Sequence, residues 1–336
     1  MRLGIDIGST TIKLALIDDQ GKLIYKRYER HMSDVTGKIR SMLLEFDSCF
    51  NGEFQVTMTG SGGLSLAKTL GVPFEQEVIA CSAAVKERIP QTDVLIELGG
   101  EDAKITFYEG TVEQRMNGTC AGGTGAFIDQ MALLLDTDAS GLNEYAKKST
   151  TIYPIAARCG VFAKTDIQPL INEGTPKEDL AASIFQAVVN QTISGLACGR
   201  VIRGNVAFLG GPLSFLSELR HRFVETLKLT PEQVVFPEDA QYYVAMGAAI
   251  LAKKAEPTSV FTMLRRLKER KGEEEREMPL LPLFENDEAR EEFRIRHEKD
   301  RVKKAELSTA SGPAFLGIDA GSTTTKATLI DGEGNV

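Results

Sequence analysis

The sequence has little that would tie it to nucleic acid, to a bilayer or to an oxidising compartment. Acidic residues outnumber basic ones, 47 to 39, giving a net charge of -8 and a pI near 5.2. The basic footprint of a nucleic-acid or acidic-membrane binder is therefore missing. No apolar run approaches the roughly 20 residues that span a bilayer. Met1-Arg2 leads straight into a strand-like segment carrying Asp6, not into a secretory apolar core. A cytoplasmic protein with no nucleic-acid and no membrane partner is expected. The five cysteines, Cys49, Cys81, Cys120, Cys159 and Cys198, are scattered without a C-x-x-C pair. An odd count in a reducing compartment argues against a disulfide framework, and Cys49, Cys81 and Cys198 read as packing residues. His31, His221 and His297 lack metal-ligand spacing and read as surface or capping residues. There is no G-x-x-x-x-G-K-[ST] loop and no G-x-G-x-x-G after a strand.

What is present is an ordinary globular composition, 42% hydrophobic and 26% charged, with a length suited to about two domains or lobes. The opening phrase Leu3-Gly4-Ile5-Asp6-Ile7-Gly8-Ser9-Thr10-Thr11-Ile12-Lys13 returns near the end as Leu316-Gly317-Ile318-Asp319-Ala320-Gly321-Ser322-Thr323-Thr324-Thr325-Lys326. A strand-turn-strand unit cannot bury its apolar face alone. The expected organisation is one module over 1–255, a charged linker over 256–313 and the truncated start of a second module over 314–336. Strands are expected at 3–7, 12–17, 22–28 and 54–59, and helices at 33–48, with Ser33 as cap, and at 77–88. A second strand-turn-strand unit spans 94–115. Helices should follow at about 121–135, 178–199, 214–227 and 242–253, with a strand at 205–209. The Pro279–Phe284 patch interrupts the linker charge as a possible dock.

Three glycine turns carry the chemistry. Gly8-Ser9-Thr10-Thr11 follows Asp6, Gly99-Gly100-Glu101-Asp102 follows a strand, and Gly210-Gly211-Pro212 opens a helix. Glycine lets backbone N–H groups approach phosphate oxygens with no Cβ in the way. Thr10, Thr11 and Lys13 can add hydroxyl and cationic contacts, and Lys104 is a second candidate cation. Asp6 and Asp102 can hold Mg²⁺ through its waters. Gly210 and Gly211 suit an adenosine or phosphate face. Each turn alone is weak, but their order resembles the phosphate-1, phosphate-2 and adenosine motifs of the actin-like ATPase superfamily. Over residues 1–253 the resemblance implies an α/β, ribonuclease H-like fold. Two lobes, each a mixed sheet flanked by helices, would close over MgATP. Asp6, Glu101 and Asp102 become the catalytic candidates, with Glu101 or Asp102 orienting the attacking water.

Two cysteines stand at the mouths of expected helices, where a thiolate is favoured. Their words, Cys120-Ala121-Gly122-Gly123-Thr124-Gly125-Ala126-Phe127 and Cys159-Gly160-Val161-Phe162-Ala163-Lys164-Thr165-Asp166, resemble the activator proteins of 2-hydroxyacyl-CoA dehydratases and benzoyl-CoA reductases. The resemblance implies a homodimer, or a pseudo-dimer with a second module, holding one [4Fe–4S] cluster between its halves. Cys120 and Cys159 would be ligands, with Gly122 and Gly123 bordering the nucleotide. It also implies ATP/ADP and Mg²⁺ as cofactors and reduced ferredoxin or flavodoxin as donor. The dehydratase or reductase component would be the acceptor, in an anaerobic cytoplasm. The chain departs from that family at Glu97, often Asp, at Glu101, often Gln, and in the repeated module start. The alternatives are a small-molecule kinase of the same superfamily and a non-catalytic nucleotide-dependent interaction module.

Overall fold

The computed structural model describes residues 1–118, 122–156, 160–269, 281–321 and 324–336. The first lobe opens as an antiparallel meander of β1 (Arg2–Ile7), β2 (Thr11–Ile17) and β3 (Leu23–Arg30). Helix α1 (Val35–Cys49) crosses to β4 (Glu53–Thr59), which pairs parallel to β1. The cap of α1 is Asp34, whose carboxylate accepts from Gly37 N at 2.8 Å. Ser33, expected there, instead takes a left-handed φ of 66°. Helices α2 (Gly63–Leu70) and α3 (Glu77–Arg88) lead to the second lobe.

That lobe begins with β5 (Val94–Leu98), β6 (Ala103–Phe107) and β7 (Glu113–Met116), again a meander. Four helices follow: α4 (Gly125–Leu134), α5 (Ala139–Ala146), α6 (Gly160–Asn172) and α7 (Lys177–Thr192). Then come β8 (Val206–Leu209), parallel to β5, the short α8 (Gly211–Phe215), α9 (Ser217–Leu227) and β9 (Val234–Val235). The expected single helix over 178–199 breaks at Thr192 into a π-turn, Ile193–Ala197, which ends at Cys198 with a φ of 47°. Arg115 donates to the carbonyls of Leu196 and Ala197 there. Lys177–Ala197 is long and apolar enough to cross a bilayer, yet 67% of its apolar window is buried inside the protein, as in a core helix.

Helix α10 (Tyr243–Leu251) returns to the first lobe, where β10 (Pro257–Ser259) pairs with β4 and α11 (Val260–Glu269) follows. The strand orders are β10-β4-β1-β2-β3 and β7-β6-β5-β8-β9. Each sheet has its own apolar core. A third core joins them, built from α3, α10 and the facing residues Ala15, Ile17, Leu95, Ala207 and Leu209. The module therefore does not end at 255. Val260, Met263 and Leu267 are buried in the first lobe's core, so the compact unit runs through Met1–Gly272.

The second unit, Glu273–Val336, contains α12 (Asp287–Glu298) and a hairpin of β11 (Ala314–Ala320) and β12 (Thr325–Asp331). Helix α12 buries nothing and carries Arg294 pairs to Glu291 and Glu298, as a solvated charged segment should. The hairpin repeats the opening one in detail. Asp319 lies across from Lys326 as Asp6 does from Lys13. Gly321 N bonds Thr324 O at 3.0 Å, as Gly8 N bonds Thr11 O at 2.9 Å. Every residue of β11 is exposed.

Candidate nucleotide-binding cleft

Each lobe's strand-turn-strand unit turns its glycines toward the other, and an open cleft lies between them. Its floor carries Asp6, Gly8, Ser9, Thr10, Thr11 and Lys13 from the first lobe. Gly99, Gly100, Asp102, Gly210 and Gly211 face them from the second. A Cβ at Gly100 would collide with Thr10 Oγ1 and crowd Ser9 Oγ, so only glycine lets the two turns meet. Gly210 has a φ of 92°, and a Cβ there would strike the Leu98 carbonyl. Apolar side chains also line it, with Pro212, Phe215, Leu216, Tyr243 and Val244 beside Gln241. A cleft with glycine turns and an apolar slot suits a nucleoside carrying phosphates.

The floor is rich in carboxylates. Asp6 is 2% exposed, and Lys13 Nζ donates to it at 2.7 Å. Burial works against the Lys13 charge, but Asp6 outweighs it and holds the ammonium above its ordinary range. Lys104 does not line the cleft. It lies beneath, 3% exposed, donating to Glu77 with Glu97 at 3.7 Å and Asp102 at 4.0 Å. Its charge, opposed by burial, is held up by Glu97 and Glu77. Burial pushes the Glu77 carboxyl up to about 7, against the pull of Lys104. Glu97 Oε2 is buried with no hydrogen-bond partner. Four carboxylates thus share two ammonium groups, and one oxygen is orphaned. Such a floor fits a hydrated divalent cation, which takes few direct carboxylates and keeps its waters. Among the described residues no group of three His, Cys, Asp or Glu could hold a metal directly.

Other expected positions fall elsewhere. Glu101 is exposed at the outer corner of its turn, where its carbonyl accepts from Asn117 Nδ2 at 2.9 Å. Gly123 has a φ of 81° and backs onto Gln191 and Thr192; neither it nor Gly122 lines the cleft. Cys120 and Cys159 lie outside the described residues. Cys81 is buried as expected, its thiol pushed well up by burial and by Glu97. Cys49 and Cys198 are exposed, not packing residues.

The segments after the two cysteines converge. Gly125 N donates to Gly99 O at 3.0 Å and Ala126 N to Gly100 O at 2.7 Å, so the first turn of α4 hangs on the Gly99–Asp102 turn. Gly160, opening α6, faces Phe127 of α4, with a Cβ there 3.4 Å from the ring. Ala156 N is held by Asp166 of α6 at 2.7 Å.

Sequence reasoning missed Tyr28, Arg30, Glu77 and Asp129, all of which line the cleft. Arg30, from β3, makes a two-pronged pair with Asp129 on α4, at 2.8 and 3.2 Å. No local motif announces such a pair, because its partners are 99 residues apart.

Comparison with known proteins supplies the context. A family model described as the BadF/BadG/BcrA/BcrD ATPase family matches residues 3–252. The (R)-2-hydroxyglutaryl-CoA dehydratase activating ATPase of Acidaminococcus fermentans is 30% identical over 261 residues, covering 75% of this chain and 96% of that one. The crystal structure of that dehydratase's component A matches with a TM-score of 0.67 at 29% identity, over 75% of this chain and 98% of the other. The activator of the 2-hydroxyisocaproyl-CoA dehydratase from Clostridium difficile, solved with bound ADPNP, matches in fold with a TM-score of 0.65 at 23% identity. It covers 81% of this chain and 97% of its own. The fold is the actin-like, two-lobed ATPase fold that the motifs imply.

Proposed function

We propose that this chain, which belongs to the BadF/BadG/BcrA/BcrD ATPase family, is an ATP-hydrolysing activator. It passes one electron at low potential to a 2-hydroxyacyl-CoA dehydratase or a benzoyl-CoA reductase-like partner. The observation that carries this reading is the pair of bonds from Gly125 and Ala126 to Gly99 and Gly100. A nucleotide that moves the second phosphate turn also moves the helix that follows Cys120.

The glycine turns of both lobes receive the phosphates through backbone N–H groups, and Lys13 adds positive charge. Asp6 and Asp102 hold Mg²⁺ through water, and Asp102, at the cleft floor, orients the attacking water. Glu101 faces solvent and is replaced in that role by Asp102. The adenosine lies against Gly210, Gly211 and the apolar slot. Cys120 and Cys159 hold an iron–sulfur cluster together with their mates from a second copy or a second module. When bound, the cluster supplies one-electron transfer. The approach of Gly160, which opens α6, to Phe127 of α4 supports a single cluster served by both segments. Lobe closure shifts α4, and with it the first ligand. Reduced ferredoxin or flavodoxin is the donor, and the cytoplasm the setting. The hairpin over 314–336 opens a second module of the same kind; its Asp319–Lys326 register and Gly321 turn support that assignment.

Anaerobic purification with iron and sulfide assays tests the reading. The protein should carry iron, and its visible absorbance should change on adding MgATP. Cys120→Ala should abolish the iron chromophore while ADP binding persists. A colourless, iron-free wild type that phosphorylates a small acceptor would replace this reading with a kinase.

A further inference from the structure

The link between β3 and α1 is strained in a way that its packing does not repay. Met32 and Ser33 both take left-handed backbone angles, φ 48° and 66°, although neither is glycine, and Met32 is 80% exposed. Two such residues together persist only where surrounding bonds over-determine them. Four of the bonds around this corner involve His31. Asp34 N donates to His31 O at 2.8 Å. Ser33 N donates to the ring's Nδ1 at 3.2 Å. That bond makes Nδ1 an acceptor, so Nε2 carries the ring proton. Nε2 lies 3.2 Å from the Gly8 carbonyl oxygen and donates to it. The His31 backbone N–H donates to the Thr10 carbonyl, also at 3.2 Å.

His31 is 7% exposed and does not line the cleft, whereas Gly8, Ser9, Thr10 and Thr11 all do. One residue behind the turn thus takes two carbonyls of the turn. In a planar trans peptide the C=O and the following N–H point in opposite directions. Fixing the Gly8 carbonyl rearward aims the Ser9 N–H forward, and fixing the Thr10 carbonyl does the same for the Thr11 N–H. Space does not demand glycine at position 8, since a Cβ there would meet nothing closer than 3.5 Å. The freedom of Gly8 therefore exposes its peptide to flipping. A flipped peptide would present a carbonyl oxygen to phosphate, a repulsive contact in place of an attractive one.

We propose that His31 is a positioning residue for phosphate recognition: its Nε2–H and its backbone N–H lock two peptides of the Gly8–Thr11 turn so that their N–H groups face the phosphates. The strained Met32–Ser33 corner folds the ring back into place. This rests on the cleft being a nucleotide site, and it adds the residue that orders its first phosphate turn.

The test compares ADP with adenosine, measured by calorimetry and by competition against ADP, on folded protein verified by circular dichroism. His31→Ala and His31→Met, which lack the ring donor, should lose roughly five- to tenfold in ADP affinity, the loss of about one hydrogen bond. Adenosine affinity should stay unchanged, because its contacts lie at Gly210, Gly211 and the apolar slot. His31→Gln, which keeps a side-chain donor, should recover most of the ADP affinity. If His31→Ala fails to fold, the Met and Gln pair carries the same comparison. Unchanged ADP affinity in the Met variant, or an equal loss for adenosine and ADP, would overturn the proposal. A wild type that binds neither ligand would overturn the nucleotide reading of the cleft itself.

Discussion

Individual side chains divide into those that a motif announces and those that only burial explains. Asp6 and Lys13 belong to the first kind: they face each other across β1 and β2 because the turn between them fixes the register. Glu77 and Lys104 belong to the second. Alternation along β6 turns Lys104 inward, off the cleft lining and onto a carboxylate of a helix 27 residues earlier. The consequence is a pH dependence. Glu77 rises to about 7 from 4.5, first through burial. Its folded form therefore holds a proton that the unfolded chain has released between those values. Stability from this group is fully present below about pH 4.5 and is lost as pH rises through 7. Glu77→Gln should remove that slope, on the order of 3 kcal/mol across the window. Thermal melts at pH 5 and pH 7.5 check it: the wild type should lose more stability between them than the variant.

Elements are placed by close approaches that no local pattern states. Helix α10 rests on β1 and α3 through two glycines. A Cβ at Gly247 would enter the Ala80 carbonyl, and one at Gly4 the Ala245 carbonyl. Gly247→Ala should cost about 1–3 kcal/mol by overpacking, read as a lower urea midpoint. The helix over 242–253 was legible in the sequence, but not the partner it packs against. Across the cleft, Arg30 and Asp129 tie β3 to α4, but their side chains are 55% and 33% exposed. Such a pair contributes less than about 1 kcal/mol. Arg30→Ala should therefore speed ADP release only about two- to fivefold, by stopped-flow. The swap of Arg30→Asp with Asp129→Arg should return it toward wild type, and high salt should mimic the loss.

At the scale of the whole unit, Met1–Gly272 is two five-stranded sheets sharing a third core, and its boundary lies beyond where composition placed it. Charge density rises after 264, yet β10 and α11 complete the first lobe, because one apolar face of α11 is buried while the other is charged. A chain cut at 255 loses Val260, Met263 and Leu267, roughly 1.5–3 kcal/mol each, and should be largely unfolded by circular dichroism. A chain cut at 272 should melt like the full one and bind ADP equally. The sequence by itself determined the repeated hairpin, the three glycine turns and the fold class, because backbone turns and short registers are encoded within a few neighbouring residues. It also marked the two cysteine words by resemblance. Only the tertiary structure decided that Lys104 and Glu101 leave the cleft, that Arg30 and Asp129 enter it, and that His31 stands behind the first phosphate turn. Those outcomes depend on which distant surfaces meet, and a one-dimensional pattern carries side-chain periodicity but not the partner each face will find.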